Sequence, residues 1–184
     1  MGGVVVTAVL ASHCTGLWRR TLLINPDGSR DLGADVMWLQ GITAYVDSRG
    51  FAGRLQQDGE VFSWCRDIDL LPPGPYPDEG YLRWDGSTLI ETGVHENYTE
   101  RWVPEERAGA LDASGAFFLA APDAGRAVLV RVGQRYGWAC HDAVVVGTVA
   151  DRQWCDLAIE QAGNEIRVKG VRWVVQEWEG NVNI

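Results

Sequence analysis

Residues 78–104, DEGYLRWDGSTLIETGVHENYTERWVP, carry the clearest fold signals of this 184-residue chain. Asp85-Gly86 is a hairpin dipeptide between two β-prone runs. After Val94 two arrangements remain open. A single strand would place alternate residues on one face, namely Val94, Glu96, Tyr98, Glu100 and Trp102. A turn at residues 95–97 would instead pair 89–94 with 98–103. Either arrangement puts carboxylates on the same face as large aromatic rings, which favours a ligand site.

Turn signals divide the rest of the chain into short segments. They include Asn25-Pro26-Asp27-Gly28 and Gln57-Asp58-Gly59, and β-prone runs recur between them at the spacing typical of a sandwich or barrel. No long segment shows a 3.6-residue apolar stripe, so little helix is expected. Residues 153–161 and 171–177 are both predicted as strands. The composition changes near Glu105, which predicts domains at 1–107 and 108–184.

Two segments resemble a known family. Residues 78–106 and 125–138, the second reading GRAVLVRVGQRYGW, are similar to the middle and to the C-terminal "VVRVG" strand of a small fungal family named after a yeast casein-kinase-interacting protein. The resemblance implies an all-β fold of two lipocalin-like antiparallel β-barrels or half-barrels. The family carries no assigned reaction, and no cofactor is expected.

Composition narrows the classes of partner. The formal net charge of −9 argues against nucleic acid and against anionic membrane surfaces. Four cysteines without a CxxC pair are typical of a cytoplasmic protein with free thiols, and no signal peptide is expected. The neighbours His13-Cys14 and Cys140-His141 would point to opposite faces of a strand, so no metal site is predicted.

A binding role is the first functional hypothesis. Nine tryptophans suit a pocket or an interface, because each offers a large apolar area with one hydrogen-bond donor. The predicted barrel pocket would hold an apolar small molecule or a peptide, as in an accessory protein of a bacterial biosynthetic pathway. The predicted ligand-binding residues lie in and around the acidic stretch: Trp38, Trp64, Trp84, Glu91, Glu96, Tyr98, Glu100, Arg101 and Trp102.

Two alternatives remain open. A small β-barrel isomerase or cyclase would use Glu91, His95 or Glu100 as acid or base, because burial among aromatic residues raises carboxyl pKa values. A protein-interaction module would use exposed tryptophans and the acidic surface. The segment 70–77, with four prolines, could cover an opening as a lid does. Strand edges at 171–177 could pair two copies into a homodimer.

Overall fold

Two antiparallel sheets build the molecule. The computed structural model describes residues 8–33, 35–107, 114–182 and 184. The first sheet contains nine strands, β1 (Gly16–Ile24), β2 (Arg30–Asp31), β3 (Met37–Gln40), β4 (Ala44–Asp47), β5 (Phe51–Asp58), β6 (Val61–Asp69), β7 (Glu79–Asp85), β8 (Thr88–Gly93) and β9 (Thr99–Arg107). A 3-10 helix, Ala11–Cys14, precedes them.

The first sheet closes into a barrel. Successive strands pair from β3 to β9, and β1 joins the ends by pairing with β3 on one side and with β9 on the other. Eight strands therefore form the closed barrel, while the two-residue β2 pairs only with the end of β1. Closure satisfies the backbone groups that an open sheet leaves at its edges.

The second sheet is an open, curled half-barrel. It is formed by β10 (Ser114–Ala121), β11 (Gly125–Val132), β12 (Arg135–Cys140), β13 (Ala143–Thr148), β14 (Glu160–Ala162), β15 (Glu165–Val168) and β16 (Val171–Gly180). The strand order is β13-β12-β11-β10-β16-β15-β14. The helix α1 (Arg152–Leu157) buries Leu157 in the apolar cluster of the second sheet. With six residues in α1, no helix in the described ranges is long and apolar enough to cross a membrane.

Apolar side chains form three clusters, one inside each sheet and one between the two sheets. One fills the barrel and includes Trp18, Trp38 and Trp102. A second, which includes Leu39 and Val130, lies between the barrel wall and the second sheet. The third fills the half-barrel. Contact between the sheets is close, since a Cβ on Gly137 would lie 2.7 Å from the Cβ of Val46.

The predicted all-β class and the barrel with half-barrel are confirmed. The hairpin alternative for the acidic stretch is also correct: β7 and β8 flank Gly86 at φ 63°, and β8 pairs with β9 across a turn at 94–98. The structure describes the sheets as 16–107 and 114–180, and the predicted boundary at 107/108 adjoins residues outside the described ranges.

Three local predictions were wrong. Residues 153–161 begin in α1 rather than in a strand, because Asp151 caps the helix by accepting a hydrogen bond from the Trp154 backbone N–H at 2.7 Å. Residues 171–177 belong to β16, which pairs with β15 over 171–174 and with β10 from Val174 onward, so it is not the outermost strand of the sheet. His13 and Cys14 lie in the 3-10 helix, not in a strand.

Candidate functional site

The barrel interior opens into two neighbouring cavities. The inner cavity has a volume of about 300 Å³ and lies over the aromatic floor of the barrel. The outer cavity has about 690 Å³ and lies beneath the proline-rich segment, with Leu71 and Tyr76 in its wall. Both cavities share the wall formed by Trp64, Arg66, Asp78, Glu96 and Tyr98.

Alternation along the strands delivers the inner cavity's side chains. Glu91 on β8 pairs in register with Glu100 on β9, and Leu89 pairs with Trp102, so all four point into the barrel. Trp38 on β3 is the centre of the floor. Its ring centroid lies 5.7 Å from that of Trp102 and 5.8 Å from that of Trp64, both edge-to-face.

Glu100 is the centre of a buried ion-pair network. Its side chain is 3% exposed, and its Oε1 accepts hydrogen bonds from Arg20 Nη1 at 2.8 Å and from Arg49 Nη1 at 3.1 Å. Arg49 also donates to both oxygens of Asp47, at 3.0 and 2.8 Å. Arg20 donates to Asp31 Oδ2 at 3.0 Å. Ion pairs of this kind hold the charges of the cavity wall in fixed positions.

Glu91 is buried, and no basic side chain among the described residues donates a hydrogen bond to it. Its Oε1 accepts the hydroxyl hydrogen of Tyr98 at 2.8 Å and its Oε2 accepts the indole N–H of Trp102 at 3.0 Å. Burial, together with the negative charges of Glu100 and Asp78, raises the pKa of Glu91 to about 8, against the opposing effects of Tyr98 and Arg49. Glu91 is therefore a mostly neutral carboxylic acid near pH 7.

The pKa of Glu91 predicts how stability depends on pH. The folded protein keeps a proton on Glu91 between about pH 4.5 and 8, whereas the unfolded chain releases it. Stability should therefore fall as pH rises through that interval, by roughly 2–4 kcal/mol in total from this group. Urea unfolding at pH 5.5 and 8.5 should show a smaller fall for Glu91→Gln, since glutamine does not titrate in this range and its carbonyl oxygen still accepts from Trp102. The exposed Glu96→Gln is the control and should show the wild-type fall in stability. A fall in Glu91→Gln as large as that of the wild type would contradict the raised pKa of Glu91.

Most of the predicted binding residues meet at this site. Those that line the inner cavity are Trp38, Trp64, Glu91, Glu96, Tyr98, Glu100 and Trp102. Trp84 packs beside the barrel core at 6.2 Å from Trp18, outside the cavity lining. Arg101 faces outward, where its Nη2 lies 3.5 Å from Asp85 Oδ2.

His95 belongs to the outer cavity. Its Nε2 lies 2.8 Å from Glu79 Oε2, and its ring stacks on Tyr76 with centroids 5.6 Å apart. The stacking attaches the proline-rich segment to the β8–β9 turn. Residues 70–77, predicted as a lid, therefore lie over the outer cavity.

Several charged residues that line the inner cavity were not predicted from the sequence. They are Arg20, Asp47, Arg49, Arg66 and Asp78. Arg20 carried a usable signal, because it follows Trp18 by two residues in a strand and must share its face. Arg49 lies in the turn between β4 and β5, where no periodicity applies.

A Cys–His–Asp cluster occupies the β12–β13 hairpin. Donor atoms of Cys140, His141 and Asp142 lie within 4.8 Å of one another. Burial and the hydrogen bond to Asp142 raise the pKa of Cys140, which keeps the thiol in its protonated, weakly ligating form. The absence of a metal site stays a prediction.

Comparison with known proteins identifies a fold and no activity. No family model matches the chain, and no curated protein matches it. Among solved structures, the uncharacterized protein YLR301w from Saccharomyces cerevisiae superposes with a TM-score of 0.56 at 13% sequence identity. The match covers 89% of this chain and 98% of that chain. At this identity the similarity shows the fold alone: a closed eight-stranded antiparallel barrel beside a curled seven-stranded half-barrel.

Proposed function

We propose that this protein is a non-catalytic binding protein that holds a small molecule in the inner cavity of its barrel. The observation that supports it best is the cavity itself: about 300 Å³, floored by Trp38, Trp64 and Trp102 and flanked by charges already fixed in ion pairs. That volume is at the lower end of ligand pockets, roughly 300–1,000 Å³. The ligand would rest an apolar or aromatic body on the tryptophans and direct a polar end towards the acids.

A fragment screen by ligand-observed NMR tests this proposal. Small aromatic fragments of different charge should bind the wild-type protein, and binding should be lost in Glu96→Trp, whose new ring would fill the mouth shared by both cavities. Glu96 is exposed, so the substitution should leave the fold intact. Glu160→Trp, an equally exposed position on β14, is the matched control and should bind normally. Equal binding by both variants, or no binding by the wild type, would overturn the proposal.

Acid–base catalysis is the second candidate, favoured by the Glu91 pKa of about 8. Such a pKa suits a general acid or base near neutral pH. It ranks below binding because both Glu91 oxygens are engaged by Tyr98 and Trp102, while Glu100 is held by two guanidinium groups. A catalyst should lose turnover but not binding in Glu91→Gln. Bound fragments that remain chemically unchanged in the wild type would support the binding role.

Kinship with the fungal family named after a casein-kinase-interacting protein is also proposed. Its support is the pair of similar segments, 78–106 and 125–138, together with an all-β fold shared with a yeast protein. The kinship assigns no partner to this chain.

A further inference from the structure

We infer that the inner cavity selects a ligand with a cationic end, an ammonium or guanidinium group on an apolar or aromatic body. This inference rests on the proposed binding function and specifies its ligand class. Three features of the described residues lead to it: the balance of charge in the cavity wall, the aromatic faces beside it, and the buried acid at its base.

Acidic groups outnumber basic ones in the wall. Five carboxyl groups and three guanidinium groups line the cavity. Each guanidinium is already held by two carboxylates: Arg20 by Glu100 and Asp31, Arg49 by Asp47 and Glu100, and Arg66 by Asp69 and Asp78. The positive charge is thus compensated inside the protein, whereas Glu96 forms no ion pair in the described structure, and Glu91 becomes a second unpaired carboxylate once it ionises. Such a wall attracts a cation and repels an anion.

The aromatic residues suit the same kind of ligand. Arg49 places its guanidinium carbon 5.5 Å from the ring centroid of Trp102 and 5.0 Å from that of Phe51. The protein's own side chain therefore already uses these ring faces as cation acceptors. Trp38 and Trp64 extend the aromatic surface into the cavity, where an organic cation would gain both ring contact and a nearby carboxylate.

One observation favours an anion instead. The Nε of Arg20 is buried and lacks a hydrogen-bond partner within the described part of the chain, so an acceptor atom would suit it. An anionic ligand at Arg20 would, however, lie close to Glu100, whose carboxylate already accepts a hydrogen bond from that guanidinium. Tighter binding of an anion is therefore the competing outcome of the experiment.

Proton release from Glu91 would accompany the binding of a cation. The charged or titratable groups that face Glu91 come from four elements: Glu100 and Tyr98 at β9, Arg49 after β4, Asp78 before β7, and Cys14 of the 3-10 helix. Burial raises the pKa of Cys14 to about 12 and raises that of Tyr98 further, so neither loses its proton near neutral pH. A cation in the cavity would favour the ionised form of Glu91, and binding would release its proton.

The experiment is isothermal titration of the full chain with three probes of similar size. Benzyltrimethylammonium carries a permanent positive charge, benzyl alcohol is neutral, and phenylacetate is anionic. The cation should bind at least about tenfold more tightly than either other probe. Its affinity should rise by up to about a hundredfold between pH 6 and pH 9, because Glu91 titrates near pH 8. Titration at pH 7 in buffers of different ionisation enthalpy should show release of nearly one proton.

Glu91→Gln should remove the proton release and flatten the pH dependence, while Glu160→Gln, the same substitution at an exposed site, should change neither. Retained proton release in Glu91→Gln would overturn the role of Glu91. Tighter binding of benzyl alcohol or phenylacetate would overturn the cation preference but leave the binding function standing. If none of the three probes binds, both the preference and the proposed function fail.

Discussion

Replacing Glu100 by glutamine should lower the free energy of unfolding by about 3 kcal/mol, within the range of roughly 3–5 kcal/mol for breaking one side of a buried ion pair. The substitution leaves Arg20 and Arg49 inside the barrel without their shared carboxylate. Asp31 and Asp47 still hold the two guanidinium groups, so we expect the lower end of that range.

Urea unfolding followed by tryptophan fluorescence measures the effect. The control is Glu96→Gln, an exposed acid of the same cavity wall, which should change stability by less than about 0.5 kcal/mol. A double-mutant cycle with Arg20→Gln should show coupling between Arg20 and Glu100. A loss below about 1 kcal/mol in Glu100→Gln would mean that the network is solvated and does not preorganise the cavity.

Replacing Glu179 by alanine should cost about 2–3 kcal/mol, since hydrogen bonds to a charged group contribute roughly 1.5–3 kcal/mol each and do not add fully. Glu179 on β16 reaches across to the barrel. Its Oε1 accepts from the backbone N–H of Ala44 at 2.8 Å and of Thr43 at 3.0 Å, and its Oε2 accepts from the Thr43 hydroxyl. Alanine would leave those donors unpaired between the two sheets.

Glu177→Ala is the matched control on the same strand. Its side chain is 67% exposed and pairs with Arg54 at the surface, so the expected loss is below about 1 kcal/mol. Hydrogen exchange should also show faster exchange at the Ala44 amide in Glu179→Ala only. Equal losses in the two variants would contradict a specific link between the sheets.

Period-two alternation explains how much of the site the sequence could predict. Glu100 and Trp102 were placed on one face because alternation applies to them in both arrangements left open after Val94, and Glu91 was expected close to them. Their partners were not predictable in this way. Arg49 reaches Glu100 from the turn after β4, and such a pairing depends on closure of the barrel rather than on local pattern.

The errors at α1 and β16 have different causes. α1 spans only Arg152–Leu157, too few residues to show a helical stripe, and its evidence is the Asp151 cap at one end and the left-handed Ala158 at the other. Residues 171–177 were expected to offer a strand edge, whereas β16 inserts between β10 and β15. Strand order in a sheet is a long-range property that no local signal encodes.

Closure of the barrel determines when this protein can fold. Gly16 pairs with Arg107, so the first and last barrel strands meet only after the whole intervening chain is available. Contacts between residues so far apart in sequence make folding slow, in the millisecond-to-second range typical of non-local β topologies. On the ribosome, β1 must therefore wait for β9, and chaperones have most opportunity to act while the tryptophan-rich interior is still exposed.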